Sequence, residues 1–376
     1  MRHHRRPLGQ EAPGDGRADP LGCPGHQHRL IAQVHRPLLA IDARRIMRTF
    51  VHIANRHGGG KMSARALHIL GGGAIGTAFA AAFAAAGRTV TLSDPDRDAR
   101  DAVPGRVAAH LAALRRAGHA AVAAPPDVAV VAAPGDLSGA ALVLECGPER
   151  VAVKSEVFAD LLARTGPDTL LATASSAIGI SDIVPVPADQ ARCLVAHPVN
   201  PPSLLRVIEL VPAPGTSAET LDRAAGLLAE LGFDPVRLAA EVPAFVLNRL
   251  QSALLREAYR LVDEGVVDVD GVDRLVRDGL GPRWALSGPF ETADLNTAGG
   301  IAAHAARMGP AYAAIGRARG ETAPDWSPEL VARVAAARRA LLPEADLTAR
   351  RTWRAEALAD LLAARRPLLP DDGPER

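Results

Sequence analysis

Two groups of residues in this chain have types and spacings that can do chemistry. The first is Gly71, Gly73 and Gly76, a G-x-G-x-x-G triplet, with Asp94 placed 23 residues after Gly71. In such a turn the first glycine makes the bend and the second lets the backbone approach a pyrophosphate. The third lets a helix pack close to the preceding strand. Ala74 and Ile75 open that helix, so their N–H groups and the helix dipole would face the phosphates. A carboxylate at position 94 accepts hydrogen bonds from the adenosine ribose and repels the extra phosphate of NADP, which points to NAD. The second group is His197 and Glu209, twelve residues apart. An imidazole with an ordinary pKa of about 6.5 suits proton transfer at neutral pH. A carboxylate returning to it across a short loop and an adjacent strand would fix its tautomer and stabilise the imidazolium.

The elements that must position these groups can be read from the hydrophobic pattern. Residues 67–70 form a short apolar run, as a buried parallel strand does. Residues 74–86 are nearly all alanine and phenylalanine and read as a helix, and residues 88–92 return as a second strand. A polar helix is expected over 97–118, further strands over 128–132, 141–146 and 169–172, and a helix over 149–164. The polar turn Thr173-Ala-Ser-Ser176 then falls at a strand's carboxyl end, where open α/β sheets bind ligands. Residues 193–196 read as a strand ending in His197-Pro-Val-Asn-Pro-Pro202, and 207–211 as the last strand, carrying Glu209. A helix over 219–231 follows. From 241 onward the pattern is helical throughout, with helices expected over 244–264, 269–279, 299–319, 328–342 and 347–366. The expected fold class is therefore α/β: a Rossmann-type dinucleotide-binding domain, 62–240, followed by an all-α C-terminal domain, 241–376. A substrate would bind at their junction.

Residues 1–61 differ from the rest. They hold seven of the twelve histidines and eleven of the 43 basic residues against four acids. Pro and Gly are frequent and no apolar period is sustained, so the segment reads as disordered, or as an extension upstream of a start at Met62. No apolar run reaches the roughly 20 residues of a membrane span. Cys23, Cys146 and Cys193 have neither metal nor redox spacing, which fits a reduced cytoplasm and no metal site. Lysine is confined to Lys61 and Lys154, and asparagine to four positions. A residue type this scarce is more often kept for a chemical reason.

Taken together, Gly71–Gly76, Glu145-Cys-Gly-Pro-Glu149, His197-Pro-Val-Asn-Pro-Pro202, Glu209, Phe245-Val-Leu-Asn-Arg-Leu-Gln251 and Gly288-Pro-Phe-Glu-Thr292 resemble the 3-hydroxyacyl-CoA dehydrogenase superfamily. The closer likeness is to its lambda-crystallin branch, the L-gulonate 3-dehydrogenases, which the tail Ala349-Arg-Arg-Thr-Trp-Arg-Ala-Glu356 also resembles. The resemblance covers about residues 66–369. It implies an NAD-dependent dehydrogenase in which His197 takes the hydroxyl proton and Glu209 orients it. Asn248 and Ser175 would hold the reacting oxygen, which gains negative charge in the transition state. Glu149 and Lys154 match positions that contact the nicotinamide end of the cofactor. The helical domain resembles the family's dimerising domain, which implies a two-fold homodimer.

Two features bear on the substrate. Acyl-CoA enzymes of the superfamily carry a long helical excursion after the second strand, and here the chain runs only from Asp94 to Val128. In Gly281-Pro-Arg-Trp-Ala-Leu-Ser-Gly-Pro289, Arg283 stands where those enzymes tend to have no arginine. A guanidinium there could clamp a carboxylate with two parallel hydrogen bonds. The expected reaction is therefore NAD-dependent oxidation of a small free 3-hydroxy acid of the L-gulonate kind, in the cytoplasm, with neither nucleic acid nor membrane as partner. Ser203 departs from the branch, which usually has an aromatic residue after Pro-Pro, so L-carnitine, 3-hydroxybutyrate and other acids stay open. The rivals are an acyl-CoA dehydrogenase and a non-catalytic NAD-binding structural protein of the crystallin kind.

Overall fold

The computed structural model describes residues 66–119, 121–321, 327–365 and 367, so the expectation for residues 1–61 lies outside the described residues. Eight strands form one sheet: β1 Leu67–Leu70, β2 Val90–Ser93, β3 Val128–Val131, β4 Leu142–Glu145, β5 Leu170–Thr173, β6 Cys193–Pro198, β7 Val207–Pro212 and β8 Asp234–Arg237. Their order is β3-β2-β1-β4-β5-β6-β7-β8, and β1 to β6 are mutually parallel. Strand β7 turns back antiparallel to β6, and β8 runs parallel to β7.

Period-two alternation builds a core on each face of this sheet. Leu142, Leu144, Leu170, Ala172, Leu194 and Ala196 point to one face, where Phe79, Phe83 and Leu228 cover them. Val143, Leu171, Cys193 and Val195 point to the other, under Phe158, Leu161 and Phe245. Helix α1 (Ala74–Ala85) is buried from Gly76 to its end, because its alanines let it sit close against the strands. Helices α2 (Arg97–Arg116), α3 (Val151–Arg164) and α4 (Ala218–Glu230) complete the two outer layers.

Past Arg237 every described element is a helix. These are α5 (Leu247–Asp263), α6 (Val269–Arg274), α7 (Pro289–Leu295), α8 (Gly300–Ala318), α9 (Pro328–Leu341) and α10 (Leu347–Arg365). A wider π-type turn, Leu275–Leu280, and a single turn, Gly281–Trp284, continue from α6. Ion pairs tie these helices together. Asp294 on α7 is fully buried, accepts the Ile301 N–H at 2.8 Å and pairs with Arg338 and Arg339 of α9. Glu291 holds Arg350 of α10 at 2.9 Å.

Four expectations need correction. Strand β7 is not the last; β8 follows it, and its Asp-Pro start and mostly exposed residues hide it from any apolar pattern. His197 lies inside β6 rather than on the turn beyond it. Helix α5 begins at Leu247, because Ala244 and Phe245 are left-handed, with φ of 62° and 54°. Helix α7, short and opened by a proline, went unread.

Candidate active site

The glycine turn between β1 and α1 has the shape its sequence demands. Gly71 has φ of +111°, and a Cβ there would sit 2.8 Å from the Cys146 carbonyl oxygen. A Cβ on Gly76 would lie 2.0 Å from the Gly71 oxygen, so nothing larger than glycine allows α1 to approach β1 this closely. At Gly73 the same construction meets nothing within 4 Å, which leaves open space in front of the first N–H groups of α1, those of Ala74 and Ile75. Asp94, just beyond β2, accepts the Gly72 N–H at 2.7 Å and the Asp96 N–H at 2.9 Å. An open cradle of N–H donors with a carboxylate beside it fits a dinucleotide. Arg106 of α2 donates to the Gly72 oxygen at 2.9 Å and braces the turn. Sequence reasoning missed it, since one arginine among so many carries no signal.

The next strand ends hold a charge network. Glu145, the last residue of β4, is buried and accepts from Lys154 Nζ at 2.7 Å, from the Thr173 hydroxyl at 2.7 Å and from the Gly147 N–H at 2.6 Å. Lys154 is 1 % exposed and also lies 3.6 Å from Glu149. It is thus an internal cation between two carboxylates rather than a side chain open to a ligand. Glu145 entered the sequence reading only as part of the Glu145–Glu149 motif and without a role, because a strand-end acid in an apolar run looks like ordinary sheet sequence. Glu149 accepts from the Ser175 hydroxyl at 2.6 Å and from the Ser176 and Ala177 N–H groups at 2.9 and 3.1 Å. Partial burial opposes ionisation of Glu149. The Ser175 hydroxyl, the Lys154 charge and the two amides outweigh it and hold the carboxyl below its usual range.

Antiparallel pairing of β6 and β7 sets His197 directly opposite Glu209, so both side chains emerge on one face. His197 Nδ1 lies 2.6 Å from Glu209 Oε2, and each residue is 5 % exposed. The carboxylate holds the proton on Nδ1, which leaves Nε2 as the basic nitrogen. Nε2 bonds no described residue and is not fully buried. The other carboxylate oxygen, Oε1, accepts the N–H groups of Val246 and Leu247 at 2.9 and 3.0 Å, where α5 begins.

Asn248, one residue further along α5, donates from Nδ2 to the Ser176 oxygen at 2.9 Å. Its second amide hydrogen is left for a ligand. Ser175 is different. Its single hydroxyl proton goes to Glu149, and its oxygen accepts the Ile178 N–H at 2.8 Å. In this arrangement Ser175 orders the loop and is not a free donor. The register pairs Thr173 with Val195, which stand two residues before Ser175 and His197 respectively.

Two further residues lie elsewhere. The Arg283 Nε donates to the Gly279 oxygen at 3.3 Å, and the side chain lines an apolar cavity of about 460 Å³ with Trp284, Phe290, His304 and Tyr312. Neither Ser175, His197, Glu209 nor Asn248 lines that cavity, so the structure does not bring Arg283 into the group. Ser203 is fully buried, and its hydroxyl meets His110 Nδ1 on α2 at 3.0 Å instead of opening a pocket.

Comparison with known proteins bears on the whole arrangement. Residues 66–242 match the family model for the 3-hydroxyacyl-CoA dehydrogenase NAD-binding domain, and residues 245–338 match that for its C-terminal domain. A 3-hydroxyacyl-CoA dehydrogenase of Gibberella moniliformis is 36 % identical over 251 residues, 66 % of this chain and 78 % of that one. The lambda-crystallin homolog of Bos taurus is 37 % identical over 244 residues, 61 % of this chain and 74 % of that one. An L-carnitine dehydrogenase of Pseudomonas sp is 34 % identical over 234 residues, 62 % and 72 % of the two chains.

Proposed function

The chain belongs to the 3-hydroxyacyl-CoA dehydrogenase family, whose NAD-binding and C-terminal domains it carries in order, and from that premise we propose that it oxidises the 3-hydroxyl of a small free 3-hydroxy acid to the 3-keto acid. The observation that carries this reading is the His197–Glu209 pair, held beside Asn248 and the Ser175 turn at the carboxyl ends of parallel strands.

His197 takes the hydroxyl proton on Nε2, while Glu209 keeps Nδ1 protonated and neutralises the imidazolium that forms. Asn248 gives its second amide hydrogen to the oxygen, whose negative charge grows as the proton leaves. Ser175 joins as a second donor only by exchanging its bond to Glu149. The glycine turn, the α1 N–H groups and Asp94 would hold the cofactor's pyrophosphate and ribose, and Glu149 would meet its nicotinamide end. Lys154 acts behind Glu149 by fixing its charge. NAD, when bound, supplies the hydride acceptor.

The choice of a free acid rests on the connection between β2 and β3. One helix, α2, fills it, and His110 and His119 of that segment are engaged with Ser203 and the Leu204 carbonyl. Little protein remains there to grip a CoA handle. The similarity to an L-carnitine dehydrogenase supports the same class, whereas the similarity to the Gibberella enzyme supports a thioester as the second reading. L-gulonate is the first acid to try. Arg283, in its separate cavity, is left out of this site. Helix α5 exposes Leu250 and Leu254, one turn apart, at 61 % and 37 %, and we assign that face to a homodimer. No helix among the described residues is long and apolar enough to cross a membrane, and we place the reaction in the cytoplasm.

The test is NADH formation with L-gulonate, L-carnitine, 3-hydroxybutyrate and matching acyl-CoA thioesters. A higher kcat/KM for thioesters would reject the free acid, and no turnover of either would favour a structural protein. Arg283→Ala should leave KM for the acid unchanged, because Arg283 lines a cavity apart from His197 and Asn248. A raised KM would bring that cavity into the substrate site.

A further inference from the structure

Glu209 does more in this fold than orient an imidazole. A carboxylate has two oxygens and about four acceptor positions. Oε2 is given to His197, and Oε1 takes two N–H groups at the start of α5, those of Val246 and Leu247. The first N–H groups of a helix have no partner within it, so such donors seek an outside acceptor. The next residue on that turn is Asn248.

The chain is bent to make this contact. Ala244 and Phe245 are consecutive left-handed residues, and neither is glycine. Conformations of that kind persist only where the surroundings over-determine them. Here the Phe245 ring is buried 5.4 Å from the His197 ring, and the Phe245 N–H is tied to the Val242 oxygen at 3.0 Å. The corner turns the next two N–H groups back onto Glu209. On the far side Asn248 is tied to the Ser176 oxygen.

We infer that Glu209 is the positioning residue for Asn248 as well as for His197, so that one carboxylate sets the base and the oxygen-holding amide relative to each other. The inference rests on the dehydrogenase reading for its catalytic consequence, and on geometry alone for the helix contact. Glutamine at 209 cannot replace both functions. It has one carbonyl oxygen, so its NH2 faces either Nδ1, which moves the ring proton to Nε2 and removes the base, or the two helix N–H groups, donor against donor.

The experiment has one arm that needs no substrate. Amide hydrogen exchange in the full chain should rise about tenfold at Val246 and Leu247 in Glu209→Gln, as expected for losing hydrogen bonds to a charged acceptor. His197→Ala, which leaves the carboxylate in place, should leave those amides protected. The second arm is a double-mutant cycle, run with whichever compound is turned over. Asn248→Ala should lower kcat by about 10²-fold or more in the otherwise native chain, the usual cost of an oxyanion donor. In the Glu209→Gln background the same change should cost less than about threefold, because Asn248 is already misplaced. Protected amides in Glu209→Gln, or losses that multiply, would overturn the proposal. If Glu209→Gln does not fold, Ala244→Val decides. It keeps every functional side chain, but a β-branched residue cannot hold the left-handed backbone of position 244 without strain, so it should disturb the corner, speed exchange at both amides and lower kcat without raising KM for NAD. No change in either quantity would equally overturn it. A chain that turns over no hydroxy acid but shows the exchange pattern fails in the substrate reading and not in the helix contact.

Discussion

The sheet half and the helical half of this molecule are stabilised in different ways. In the sheet half, apolar side chains fill both faces, and α1 is buried along nearly its whole length. In the helical half, α5, α6 and α9 bury no residue, although α5 has apolar side chains in helical period. There the order comes from ion pairs. Arg319 at the end of α8 holds Glu257 at 2.8 Å and also pairs with Glu264, both from the α5 side. The buried Asp294 gathers two arginines of α9. The sheet half thus completes its own core, whereas the helical half leaves large apolar side chains exposed.

That contrast predicts where substitutions will be felt. The largest effect belongs to chemistry on the sheet half. His197→Gln should lower kcat by about 10²–10⁴-fold, the range for loss of a general base, while the melting temperature stays close to native. A fall of less than tenfold would detach proton transfer from this strand. Next comes the core. Phe79→Ala, which removes a fully buried ring packed 5.4 Å from Phe233, should cost about 3–5 kcal/mol in denaturant unfolding. The matched change on α5, Leu250→Ala, should cost under about 0.5 kcal/mol in a dilute, monomeric sample. If its cost grows with protein concentration, the α5 face is covered by another copy; if it equals that of Phe79→Ala at every concentration, the contrast between the halves is wrong. The smallest effect concerns pH. The Glu149 carboxyl titrates lower when folded than unfolded, so its contribution is present above the unfolded pKa and fades as pH falls through the folded one. Acidification below the ordinary carboxylate range should therefore loosen the Ser175–Ala177 loop before the sheet melts, seen as faster proteolysis or exchange there. Glu149→Gln should abolish that step.

Much of the sheet half was legible because its signals are local. A glycine triplet dictates its own backbone, and alternation along a strand reports which faces are buried. The twelve-residue separation of His197 and Glu209 allowed a strand return, and the register places them side by side. The helical half was less legible. Nothing around Ala244 and Phe245 announces left-handed backbone, since neither is glycine. Arg283 looked like a partner for the catalytic group because a guanidinium suits a carboxylate, but its place is in a separate cavity. Lys154 stood out by rarity, yet its main partner, Glu145, was hidden in an apolar strand.

Sequence alone determined the dinucleotide turn, the α/β-then-helical order and the pairing of His197 with Glu209. These depend on φ preferences, short-range periodicity and side-chain chemistry that each residue carries with it. Only the tertiary structure decided that Lys154 is interior, that Ser175 spends its proton on Glu149, and that Glu209 joins His197 to the start of α5. Hydrogen bonds and burial are assigned by proximity in space, and Glu209 meets Val246 and Leu247 across 37 and 38 positions of chain.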